Sequence, residues 1–83
     1  MPDRKSSIAD RIRAKLGTGD LRCIGPKNMW DGFGDGNPCD GCGEPILTTD
    51  VEYAFAIIGD LIYRFHIGCA GIWQAELKRH GVS

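Results

Sequence analysis

The sequence predicts a small α+β domain stabilised by bound zinc, on three observations. Two pairs of metal-ligand residues stand at matched spacing, Cys39 with Cys42 and His66 with Cys69. A run rich in β-branched and aromatic residues, Val51 to His66, is interrupted only by Gly59-Asp60. The segment that follows has the apolar spacing of a helix. An 83-residue chain holds one domain, and at this size apolar burial is barely enough for stability, so a further constraint is expected.

The N-terminal segment comes first. Ile8, Ile12 and Leu16 recur at four-residue intervals with Ala9 beside them, while Arg11, Arg13 and Lys15 lie off that stripe, which predicts an amphipathic helix over Ser6 to Leu16. Ser7 followed by Asp10 resembles a capping box, and Gly17 stands where a left-handed cap would end the helix. Gly17 to Pro38 holds six glycines and two prolines in 22 residues, too many breakers for a regular element, and reads as a loop. Its Met29, Trp30 and Phe33 are expected to lie on the core, with Trp30 shielding the metal site. The chain therefore divides into residues 1–37, a helix and a Gly/Trp-rich loop, and residues 38–81, the metal-binding module.

Val51 to Ile58 and Leu61 to His66 read as two strands of a hairpin, because a two-residue Gly-Asp connection suits a tight turn with Gly at positive φ. The expected register sets Ile58 opposite Leu61, Ala56 opposite Tyr63 and Tyr53 opposite His66. Ile67 to His80 then places Ala70, Trp73 and Leu77 on one helical face, with Lys78, Arg79 and His80 in the last turn and Gly81 as the stop.

Zinc takes four soft or borderline donors at tetrahedral corners, and two cysteines separated by two residues turn both sulfurs onto one ion within a tight turn. Cys39-Asp40-Gly41-Cys42-Gly43 supplies this, its glycines freeing backbone N–H groups to point at the thiolates. His66 and Cys69 fall on the same side of a helix start, whose free N–H groups stabilise the Cys69 thiolate. A redox dithiol is the competing reading of a lone C-x-x-C, but such a motif opens a helix, which Gly43-Glu44-Pro45 blocks here. Buried unligated cysteines and an iron–sulfur centre rank below zinc, the latter because it favours four thiolates. Cys23 reads as a free, partly buried thiol, with substitution for His66 as the alternative; His80 is too distant for the same ion. Gly32 to Gly36 lacks the strand, helix and Lys or Ser/Thr of a phosphate loop, and Asp31 and Asp35 lack the further ligands of a calcium loop.

The order of knuckle, hairpin and helix resembles a treble-clef zinc finger. More narrowly, Cys39-x-x-Cys42-Gly43-x-Pro45-Ile46 followed by Phe65-His66-x-x-Cys69 is similar to the first zinc half of a LIM domain. The resemblance implies metal ligation by those four positions. It departs in having 23 residues between Cys42 and His66 and no cysteine after Cys69, so the second zinc module of a LIM domain has no counterpart. The overall layout also resembles small bacterial zinc-binding proteins, a resemblance that implies no activity.

A site with four protein ligands has no open position for water or substrate, so the zinc is expected to be structural and the chain not to be an enzyme. No small-molecule substrate is evident. Two functions remain open. A protein-interaction or adaptor module, or a homodimer, would use Ile8, Ile12, Leu16, Arg11 and Lys15 on the first helix, with Ile57, Ile62 and Trp73 as further apolar residues. Nucleic-acid binding would use Arg4, Lys5, Arg11, Arg13 and Lys15, with Arg64, Lys78 and Arg79 beside them. The charge distribution favours the former. Met1 to Leu16 carries five basic and two acidic residues, but Gly17 to Cys69 carries three basic and eight acidic. No run is long and apolar enough for a membrane span, and the start has no secretory pattern, which predicts the reducing cytoplasm.

Overall fold

A computed structural model describes residues 4–82, with side chains from Ser7 onward. Five elements follow one another: α1 (Arg4–Thr18), β1 (Asn28–Phe33), β2 (Val51–Ile58), β3 (Leu61–His66) and α2 (Ile67–Arg79). The strands form one antiparallel sheet in the order β1-β2-β3. The result is a small α+β fold with both helices packed together, α2 also lying against β2 and β3.

The hairpin strands have the expected bounds, and Gly59 takes φ 56° in the turn. The register differs by one residue from that expected. Ile58 faces Leu61, but a bulge between Ala56 and Ile58 then sets Ala56 against Ile62, Phe55 against Tyr63 and Glu52 against His66. The extra residue sets Phe55 on the same face as the buried Tyr63 and Phe65, whereas a regular ladder starting at the turn would set it opposite the exposed Arg64.

Helix α1 is longer than expected at both ends. Ser7 lies inside it and so is not its cap, and the Asp10 carboxylate instead accepts from Arg13 at 3.5 Å. Gly17 remains helical, and the positive φ of 86° falls on Gly19. The Leu21 N–H then returns to the Lys15 carbonyl at 3.1 Å, turning the chain so that Leu21 enters the core. Helix α2 ends as its sequence dictates, with the His80 N–H bonded to the Glu76 and Leu77 carbonyls and Gly81 at φ 79°.

The largest correction is β1. The breaker-rich segment contains a six-residue strand, paired with β2 from Asn28 opposite Ala56 to Phe33 opposite Val51. The prolines and most glycines flank this strand, leaving only Gly32 within it. Nor do its aromatics lie on the core: Met29, Trp30 and Phe33 are 54%, 51% and 74% exposed. Trp30 sits opposite Ala54, on the sheet face away from Phe55, and so cannot shield the metal site.

Trp73 supplies the aromatic centre. Its ring stacks on Phe65 at 22° with centroids 5.0 Å apart, lies 5.0 Å from Phe55, and meets Tyr63 edge-on at 6.0 Å. Ile12 and Leu21 join the same core as Ile46, Phe55, Phe65, Ala70 and Leu77, so residues from both halves of the chain share it. No helix among the described residues is long and apolar enough to cross a membrane.

Candidate metal centre

Backbone hydrogen bonds shape the knuckle. The Gly43 N–H bonds to the Cys39 carbonyl at 2.9 Å and the Cys39 N–H to the Glu44 carbonyl at 2.8 Å, closing a tight turn with Gly43 at φ 82°. The Gly41 N–H points at the Cys39 sulfur at 3.3 Å, as the sequence led one to expect. Gly41 is glycine for want of space: a Cβ there would stand 3.2 Å from Cys69 Cβ and 3.3 Å from both Ile12 and Phe65. Helix α1, strand β3 and helix α2 thus all converge on this one residue.

Asp40 fastens the knuckle to the hairpin. Its N–H donates to the Arg64 carbonyl at 2.8 Å, and its carboxylate accepts from the Arg64 N–H at 2.7 Å. Burial pushes this carboxyl up from its ordinary range, against the pull of the Arg64 bond. Beside it, Ile46 returns to Asn37 and Gly36 to Ile46, each at 2.8 Å, extending the paired segment. Gly34 lies against the Ile46 and Leu47 carbonyls so closely that a side chain would collide with backbone.

His66 closes β3 and also occupies the N-cap position of α2, with φ −60° and ψ 156°. One turn into the helix, Cys69 faces the same way. Together Cys39, Cys42, His66 and Cys69 place four donor atoms within 4.8 Å of one another. His66 Nδ1 is 3.4 Å from the Cys42 sulfur and 3.9 Å from that of Cys69. A tetrahedron of ordinary zinc bonds has edges of about 3.6 to 3.8 Å, so these separations suit a single ion. The far ring nitrogen, Nε2, lies 3.2 Å from the Pro45 carbonyl. A carbonyl can only accept, so Nε2 carries the proton and the Nδ1 lone pair faces the sulfurs.

The electrostatics also fit a cation. The three cysteines are nearly enclosed, at 2%, 7% and 3% exposure. The Cys69 thiol, donating to Cys39, holds the Cys39 thiol down at about 4. That same bond pushes Cys69 up, and burial pushes Cys42 up. Three thiolates cannot share so small a volume unaided, whereas a divalent ion among them removes the repulsion. The four residues are positioned to bind one metal ion, and the donor set is that of Zn²⁺.

The α1 residues expected to meet a partner also make contacts within the domain. Ile12 is fully buried, and Ile8 and Leu16 pack partly buried against the core. Arg11 donates to the Cys42 carbonyl and Lys15 to the Asp40 carbonyl, each at 2.8 Å, so two cations hold the outside of the knuckle. Their i, i+4 spacing alongside the apolar stripe was the available signal for this. Arg13 bonds Glu76 on α2 at 2.9 Å. Ile57 and Trp73 are likewise buried, whereas Ile62 is exposed. Cys23 is exposed instead of partly buried, and stands outside the four-residue cluster. The side chains of Arg4 and Lys5 lie outside the described residues.

With this geometry in hand, comparison with known proteins adds no relative: no family model matches the chain, and no curated protein or solved structure matches it significantly.

Proposed function

We propose that this chain is a structural zinc domain of treble-clef type, similar in its site to the first half of a LIM domain, and that it acts as a protein-interaction module. One observation carries the structural reading: all four corners of the site are filled by Cys39, Cys42, His66 and Cys69, three of them nearly enclosed. A catalytic zinc keeps a corner for water or substrate. The domain is accordingly a scaffold and not an enzyme. The order of knuckle, β2-β3 hairpin and α2, with His66 and Cys69 at the helix start, supports the treble-clef comparison. A site of three thiolates belongs in a reducing compartment such as the cytoplasm.

The interaction reading is supported by Met29, Trp30 and Phe33, which stand exposed on an ordered strand. Nucleic-acid binding is the weaker reading, because Arg11, Lys15 and Arg13 are engaged by the knuckle carbonyls and by Glu76.

Elemental analysis is expected to give one zinc per chain. Chelation should abolish the near-ultraviolet signal of Trp73 and the dispersion of the amide spectrum, because the binding energy of a structural zinc, about 10–16 kcal/mol, is folding energy. Cys69→Ser should do the same, while Cys23→Ser leaves zinc content intact. A metal-free chain with an unchanged spectrum would refute the scaffold role.

A further inference from the structure

Strand β1 is one of the two edges of the sheet, and among the described residues neither helix packs against it. It has no proline and no basic residue between Asn28 and Phe33, the usual devices that keep an edge from pairing. Its one charge is Asp31. The Gly34 N–H bonds to the Asp50 carbonyl, which fixes the alternation along the strand. Gly34 and the even-numbered residues before it turn their backbone groups toward β2, so Met29, Asp31 and Phe33 turn theirs outward.

From these features we propose that β1 pairs antiparallel with β1 of a second copy of this chain, joining two three-stranded sheets into one of six. The charges argue for a second copy and for a register. With the two-fold axis at Met29, Lys27 of each chain stands opposite Asp31 of the other, and this happens twice. Placing the axis at Asp31 would set like charges face to face. The Lys27 N–H is already given to the Ala56 carbonyl at 2.8 Å, so the new ladder ends there, where the ion pair closes it. The pairing satisfies the outward N–H and carbonyl of Met29 and gives the Asp31 N–H the partner's Lys27 carbonyl, and it buries Met29 against its counterpart.

This inference rests on the reading of the domain as an interaction module, and gives that module its partner. Sedimentation equilibrium of the zinc-loaded chain over a range of concentrations is expected to show a monomer–dimer equilibrium. Lys27→Asp or Asp31→Lys alone should weaken association by about tenfold, since each turns two attractive pairs repulsive. The double variant Lys27→Asp/Asp31→Lys should return it to within about threefold of the original. A chain that stays monomeric with its zinc in place overturns the dimer while leaving the scaffold reading standing. Single variants that associate as tightly as the original, or a double variant that fails to recover, overturn the pairing itself. Mixing isotope-labelled and unlabelled original chains supplies a measurement free of any variant. Cross-chain contacts should start from Met29 and Asp31, and contacts starting from β3 or α2 instead refute the proposal.

Discussion

Helix α1 and strand β1 are joined by only residues 19–27, yet they meet their surroundings in opposite ways. The helix is committed on every side that faces the protein: Ile12 fills the core, Arg11 and Lys15 bond the knuckle, and Arg13 reaches Glu76. The strand gives its backbone to β2 and leaves its large side chains outside. The difference follows from what lies beneath each. Two helices and a metal turn enclose a volume together, while a strand added beyond the helical layer finds nothing to cover it. Apolar residues in a small domain therefore carry different meanings according to the element that bears them.

The sharpest way to break this comparison is to remove the side chain that α1 contributes to the core. Ile12→Ala should cost about 2–5 kcal/mol, because the site lies wholly inside and touches Gly41 of the knuckle, where little can collapse to fill the space. Denaturant unfolding of the zinc-loaded variant measures it. A loss below about 1 kcal/mol would mean that α1 is peripheral, and the contrast with β1 would disappear.

That contrast bears on how much the sequence disclosed. The four-residue candidate metal site, the hairpin strands and α2 were legible because local rules govern them: ligand spacing, alternation about a Gly-Asp turn, and a periodic apolar face closed by a glycine. The bulge at Ile57 was not legible, since it reconciles the turn with the burial of Phe55, a requirement of the whole sheet. Strand β1 was obscured by its flanking glycines and prolines, and its pairing depends on β2, eighteen or more residues away. The stripe on α1 could be read, but which surface it would meet could not. Only packing shows that Arg11 and Lys15 bond the knuckle's carbonyls.

A smaller effect is expected where α1 meets α2. The Glu76 carboxyl is held below its ordinary value chiefly by the hydrogen bond from Arg13. A carboxyl depressed in the fold contributes stability above its unfolded value, and loses that contribution as pH falls through the folded one. Glu76→Gln should cost about 1 kcal/mol near neutral pH, a modest figure because Arg13 is half exposed to solvent. The difference between the original and the variant, measured side by side in their zinc-loaded forms, should narrow with acidification. A difference that grows on acidification would show that Glu76 is protonated in the fold and that the ion pair does not stabilise it.

The smallest effect belongs to β1, and it sharpens the comparison from the other side. Phe33 is larger than Ile12 and just as apolar, so a view based on residue type alone would give Phe33→Ala the greater cost. At 74% exposure, however, the ring has little burial to lose. Truncation should change the stability of the monomer by no more than about 0.5 kcal/mol, the usual range for surface substitutions. The measurement requires a concentration at which the chain is monomeric, because any pairing through β1 would couple unfolding to dissociation and make the midpoint concentration-dependent. A loss of 2 kcal/mol or so under those conditions would be the cost of emptying a core position. It would place Phe33 against the body of the protein and make β1, like α1, part of the packed core.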